Sequence, residues 1–166
     1  MKVKITNISE GLSEHDFISN SQELGIEDES EFQNPINIHL RIQKFESNYF
    51  FEINVKTLAH FECDRCLDEF NREIRAFRKL TFTSNQLLVD ETSDDVCLLL
   101  PNQVFIDFGP HIREMLLLAF PVKNLCAEDC KGLCSMCGAN LNCETCGCEK
   151  TTYDPRWDVL KESKEN

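Results

Sequence analysis

The chain is 166 residues long, enough for one domain with its own hydrophobic core and a small appendage. Its formal net charge of −12 argues against broad, non-specific nucleic-acid binding, which needs a basic face. It carries ten cysteines but no apolar export segment at Met1-Lys2-Val3-Lys4-Ile5-Thr6, and its longest strongly apolar run, from Met115 to Phe120, is too short for a bilayer.

A reducing, cytoplasmic location is therefore expected. There, clustered cysteines serve as metal ligands or catalytic groups more often than as disulfides. A disulfide-stapled secreted protein is the rival reading.

Taken in chain order, residues Lys2 to Asn7 read as a strand. Ser13, followed by Glu14, His15 and Asp16, resembles a helix start, with sparse apolar positions at Phe17, Ile18 and Leu24. A short helix and then a loop are expected. Between Ile5 and Leu40 lie eight acidic residues (Glu10, Glu14, Asp16, Glu23, Glu27, Asp28, Glu29 and Glu31) and no Lys or Arg. Such a stretch is either a solubilising surface or a docking face for a basic partner.

From Pro35 the pattern turns to period two. Ile36, Ile38, Leu40 and Ile42 alternate with Asn37, His39, Arg41 and Gln43, which predicts a half-buried strand. Glu46-Ser47-Asn48 makes a turn, and a second strand follows from Tyr49 to Phe61 with Phe51, Ile53 and Val55 on one face. A third runs from Phe70 to Thr83 on Phe70, Ile74, Leu80 and Phe82. Asp90 to Asp95 reads as an acidic loop, and Val96 to Leu100 and Val104 to Ile106 as short strands. Asp107, Gly109 and Pro110 open a helix whose apolar face is Phe108, Ile112, Met115, Leu116, Ala119 and Phe120, and Pro121 stops it. Asp154-Pro155-Arg156 caps a short terminal helix carrying Trp157 and Leu160.

The region from Leu125 to Cys148 is dense in Cys, Gly and short polar residues, so it needs a cross-link in place of a core. Zinc takes four ligands in a tetrahedron and favours thiolate, and two cysteines separated by two residues form a knuckle presenting both sulfurs to one ion. Two sites follow. Cys63 and Cys66 would join Cys126 and Cys130 in a non-local site, tying the sheet to the end of the helix. Cys134, Cys137, Cys146 and Cys148 would form a local one, with Cys143 able to replace Cys146 or Cys148. Two structural Zn2+ ions are thus expected. Cys97 reads as a small buried hydrophobe. His60 lies near Cys63 as an alternative ligand, and a sheet-surface role suits it better. Redox catalysis by a cysteine pair would suit a helix opening after a strand of a parallel sheet, a pattern not seen here.

One basic strip, Arg72, Arg75, Arg78 and Lys79, follows the first cysteine pair, which itself contains Arg65. It is either a charged, protected strand edge or, with Arg65, a set of RNA phosphate contacts.

The run Leu125-Cys126-Ala127-Glu128-Asp129-Cys130-Lys131-Gly132-Leu133-Cys134-Ser135-Met136-Cys137-Gly138-Ala139-Asn140-Leu141-Asn142, followed by Cys146-Gly147-Cys148 and Asp154-Pro155-Arg156, is similar to the YceD-like family, the bacterial large ribosomal RNA subunit accumulation proteins. Cys63-Asp64-Arg65-Cys66-Leu67 matches that family's upstream motif. Cys143 is extra to the pattern. The resemblance implies a non-enzymatic factor in ribosome biogenesis that supports accumulation of large-subunit (23S) rRNA. Its partners would be a ribosomal protein, precursor rRNA or both, without a membrane or a small-molecule substrate. Family members commonly lie beside the gene of a small basic ribosomal protein, which would suit the acidic segment. Alternatives are a zinc-stabilised interaction scaffold outside ribosome assembly, or a thiol redox or metal-responsive switch.

The expected fold is α+β. Residues 1–124 would form a curved, barrel-like antiparallel sheet with one core helix, and residues 125–166 a zinc-stapled cysteine-rich tail.

Overall fold

A computed structural model of the chain describes residues 1–26, 30–89 and 94–148. It divides into two compact units. The first is Met1–Phe61 with Glu69–Asn124, and the second joins Glu62–Asp68 to the chain from Leu125 onward. The terminal helix expected after Asp154, most of the acidic loop from Asp90, and the acids Glu27, Asp28 and Glu29 lie outside the described residues.

The first unit is mostly β. Its strands are β1 (Lys2–Lys4), β2 (Gly11–Ser19), β3 (Ile36–Phe45), β4 (Asn48–Glu62, whose last residue belongs to the second unit), β5 (Glu69–Thr83), β6 (Val96–Leu98) and β7 (Phe105–Asp107). A five-stranded sheet has the order β2-β3-β4-β5-β6, and β1 pairs with β7 in a separate two-stranded sheet. The period-two reading of β3 holds residue by residue: Ile36, Ile38, Leu40 and Ile42 are at most 1% exposed. Their partners across the hairpin include Ile53 opposite Leu40 and Phe51 opposite Ile42, so the two inner faces match. The two-residue connection Glu46-Ser47 turns the chain, with Glu46 at a φ of 54°.

Two expectations are corrected. The sheet is open and mixed rather than barrel-like and antiparallel, because β6 lies parallel to β5, with Phe82 opposite Cys97. A strand of three residues carries too little pattern to announce its direction. Residues from Ser13 form strand β2 rather than a short helix. β2 pairs antiparallel with β3 over nine residues, from Gly11 opposite Lys44 to Ser19 opposite Ile36. Its own apolar content is low, with Leu12 and Ile18 exposed, so the β3 ladder and not local periodicity decides its conformation.

Among the described residues there is one α-helix, α1 (Gly109–Leu118). Its start is fixed by the Asp107 carboxylate, which accepts from the Gly109 N–H at 3.0 Å, and by Pro110 in the first turn. α1 lays Ile112, Met115 and Leu116 into the core. Phe51 sits at the centre of that core, 4.8 Å from Phe108 and 5.5 Å, edge-on, from Phe82. Each such buried side chain contributes about 1.5–3 kcal/mol. No helix among the described residues is long and apolar enough to cross a membrane.

Candidate metal centres

Both candidate centres lie in the second unit. Cys63, Cys66, Cys126 and Cys130 form one group and Cys134, Cys137, Cys146 and Cys148 the other, with the sulfurs of each within 4.8 Å of one another. Cys63 and Cys130 Sγ are 3.8 Å apart, and Cys66 and Cys126 Sγ 3.6 Å. A disulfide would need about 2.05 Å. Four thiolates at about 2.3 Å around a tetrahedral ion stand about 3.8 Å apart, so the first group fits a metal and not a pair of disulfides. Both groups could bind a metal ion.

The local sequence explains how the sulfurs are aimed. The pairs Cys63–Cys66 and Cys134–Cys137 each fold into a tight turn. The Leu67 N–H donates to the Cys63 carbonyl and the Gly138 N–H to the Cys134 carbonyl, both at 2.9 Å. The residue after each pair then needs a positive φ: 77° at Gly138 and 60° at Leu67. Glycine takes that conformation freely, whereas leucine there costs about 1 kcal/mol or more.

The first group is the more enclosed. Cys63, Cys66 and Cys130 are buried and Cys126 is exposed, while in the second group only Cys134 is buried. Donors point at the sulfurs. The Cys126 N–H reaches Cys63 Sγ at 3.4 Å, and Asn142 Nδ2 donates to Cys130 Sγ at 3.3 Å. Burial pushes the Cys63 thiol up, but backbone N–H groups of Cys126, Arg65 and Cys66 outweigh it and bring it down to about 6. At Cys66 a backbone hydrogen bond at Asp68 pulls downward. Burial and the neighbouring thiols of Cys63 and Cys126 win, and Cys66 stays well above the ordinary thiol range. In the second group the N–H groups of Cys137 and Met136 and the Cys146 thiol bring Cys134 to about 6. Its hydrogen bond to Cys137, with burial, pushes Cys148 up to about 12. One thiolate is thus favoured in each group, while burial and the neighbouring thiols oppose another, an opposition that a divalent cation at the centre removes.

The residues between the cysteines hold the frame. Arg65 Nη1 donates to the Cys130 carbonyl at 2.7 Å, and the Arg65 carbonyl accepts from the Leu133 N–H at 2.9 Å. Gly132 is wedged here with a φ of 76°, and a Cβ on it would meet the Arg65 carbonyl oxygen at 2.9 Å. Asn140 Nδ2 donates to Asp68 at 2.8 Å, and Asn142 Oδ1 accepts from the Lys131 N–H at 2.7 Å. Asn140, Asn142 and Gly132 were not among the expected site residues. Their signal in the sequence is only that small polar residues and glycine crowd between the cysteines.

The spacing had left Cys143 as a substitute ligand. It is exposed and stands outside both groups. Cys97 is half-buried on β6 against the core, and burial raises its thiol. His60 belongs to the sheet surface, with Nδ1 at 3.1 Å from Asn71 Oδ1.

The basic strip is divided. Arg75 and Lys79 share one face of β5, while Arg72 and Arg78 share the face of the buried Ile74 and Leu80. Arg78 is held by Asp95 at 3.0 Å and Glu114 at 2.5 Å, Lys79 by Glu52 at 2.9 Å, and Arg75 by Glu73. Arg72 lies over the Phe70 ring at 5.2 Å. Arg65, in the second unit, spends one guanidinium nitrogen on the cysteine frame.

A family model described as large ribosomal RNA subunit accumulation protein YceD matches residues 51–163. The chain is 37% identical over 60 residues to the chloroplastic large ribosomal RNA subunit accumulation protein YCED homolog 1 of Arabidopsis thaliana, 36% of this chain and 19% of that protein. Its counterpart in Zea mays is 47% identical over 45 residues, 26% of this chain and 15% of that protein. An uncharacterized protein of Mycobacterium tuberculosis is 26% identical over 149 residues, 89% of this chain and 72% of that protein. The chain thus spans under a fifth of the plant relatives. No solved structure matches it.

Proposed function

We propose, from the premise that the chain belongs to the YceD family of large ribosomal RNA subunit accumulation proteins, that it is a non-enzymatic, zinc-stapled factor of ribosome biogenesis in the bacterial cytoplasm. In this reading it supports accumulation of 23S rRNA by binding a ribosomal protein, precursor rRNA or both. The observation that carries the reading is the family match across residues 51–163, a span that includes both four-cysteine groups. Zinc suits them because an all-thiolate tetrahedron is its usual structural site. Four sulfurs complete such a shell, and a shell without a water position favours a structural over a catalytic ion.

Of the two partner classes, the paired state of Arg75, Arg78 and Lys79 favours protein over RNA, since phosphate would have to compete with carboxylates already in place. Of these three, Arg75 and Lys79, with side chains 73% and 68% exposed, would be the first to meet a phosphate. The test is a deletion strain complemented with the wild-type chain and with a Cys63→Ser, Cys134→Ser variant. The expected result is a fall in the ratio of 23S to 16S rRNA that the wild type restores and the variant does not. An unchanged ratio on deletion would overturn the reading.

A further inference from the structure

We propose that the outer edge of β2 is a docking site for an extended, basic polypeptide segment that adds a strand to the five-stranded sheet. This deepens the protein-partner branch of the function proposed above and rests on it for the partner being a ribosomal protein.

Among the described residues no strand pairs with this edge, and its geometry is regular. β2 stands at one end of the sheet order, with β3 as its neighbour. Alternate residues of an antiparallel edge strand turn their N–H and C=O groups away from the sheet, as a template for one more strand. Such edges are ordinarily blunted by brevity, proline, charged side chains, most often lysine, or a bulge. Of these β2 carries only the carboxylates Glu14 and Asp16, which repel acidic strands and not basic ones. It is nine residues long, contains neither Pro nor Lys, and pairs with β3 one-to-one without interruption. At the sheet's other end β6 has three residues.

Charge selects the occupant. The carboxylates of β2 are Glu14 and Asp16, both on its outer face, flanked there by the exposed Leu12 and Ile18. Arg41 lies 3.6 Å from Glu14 but divides itself with Glu52 at 3.5 Å, and Asp16 meets His39 at 2.9 Å. A second copy of the chain is a poor partner: antiparallel pairing centred on His15 would set Glu14 opposite Asp16, a like-charge contact that opposes association. A strand with Lys or Arg at those positions gains two favourable cross-strand pairs instead. The end of β2 also offers a seat for an apolar side chain, a depression of about 300 Å3 lined by Met1, Phe17, Ile18, Ser19 and Glu23. Backbone pairing with alternate side chains in pockets is the usual form of strand addition.

The probe is a blocked nonapeptide of alternating Lys and Val, with a control of the same sequence whose alternate residues have D configuration. The control keeps charge and composition but cannot form a regular strand. Binding by fluorescence anisotropy and amide hydrogen exchange are measured on the full, metal-loaded chain. The L-peptide is expected to bind and to protect amides of 11–19, the control to bind about tenfold more weakly or worse, and Glu14→Lys with Asp16→Lys to weaken the L-peptide by a similar factor at unchanged metal content. Equal binding of the two peptides, or unchanged exchange in β2, would overturn the proposal. So would β2 amides already fully protected in the free protein, which would mean that the chain itself covers this edge. Failure here is separable from failure of the rRNA reading. A chain that does not bind the peptide but whose deletion lowers 23S rRNA loses only the edge. One that binds it but whose deletion leaves 23S rRNA unchanged loses only the ribosomal partner.

Discussion

The knuckle Cys63–Leu67 and the knuckle Cys134–Gly138 close the same turn with the same 2.9 Å hydrogen bond, yet they join very different lengths of chain. The first meets its partner sulfurs across sequence separations of 60 and 67 residues. The second finds its own within residues 134–148. Closing a loop four times longer costs about 1.2 kcal/mol more in chain entropy. The first group offsets this with three buried sulfurs, an arginine on the Cys130 carbonyl and an asparagine on the Cys130 sulfur. The second, more exposed group does without them. A local site can be simple, whereas a non-local site needs a built frame.

Removing one sulfur from each group should separate the two sites. Cys63→Ser is expected to lose one metal and to expose the amides of residues 125–133 to exchange, with the second group still loaded. Cys146→Ser should lose the other metal and leave the first group loaded. Native mass spectrometry with hydrogen exchange reads both, and a Cys63→Ser protein that keeps two metals would dissolve the grouping.

Gly132→Ala comes next. It combines a positive φ with a Cβ 2.9 Å from the Arg65 carbonyl and should cost about 1–3 kcal/mol in thermal unfolding. Asn142→Ala removes the donor to Cys130 Sγ, and competition with a chelator should show about 10- to 100-fold weaker metal binding at the first group alone.

The knuckles themselves give a smaller, paired effect. Leu67→Gly should raise stability by about 1 kcal/mol, while Gly138→Ala, with open space around its Cβ, should lower it by a similar amount through φ alone. Both are read as shifts in melting temperature, and a loss of stability in Leu67→Gly would mean that the leucine side chain is needed where it stands. Smallest of all, Cys143→Ser should leave metal content and stability unchanged by the same measurements, because Cys143 is exposed outside both groups.

The sequence was informative where a pattern repeats along the chain. β3 and β4 alternate strictly, so Ile36 to Ile42 and Phe51 to Val55 could be placed before any coordinates. The cysteine partition followed from spacing in the same way. What stayed hidden depends on neighbours distant in sequence. β2 is a strand because β3 lies beside it, although its own sparse Phe17, Ile18 and Leu24 suggested a helix. The parallel β5–β6 pair rests on three residues. The basic strip looked like one surface in sequence, but a strand sends alternate residues to opposite faces, and carboxylates from β4, α1 and the chain around Asp95 met it there. The exclusion of Cys143 and the service of Asn142 to Cys130 are set by how the chain winds between the sulfurs, which spacing alone does not encode.

Eight of the ten cysteines are gathered into two four-sulfur groups, each able to hold a metal ion. The direct test is the zinc-to-protein ratio of the reduced 166-residue chain, by elemental analysis and native mass spectrometry. Two zinc ions per chain are expected, the exposed group being stripped first by chelator. A ratio of one or none in protein purified without chelator would contradict two-site binding.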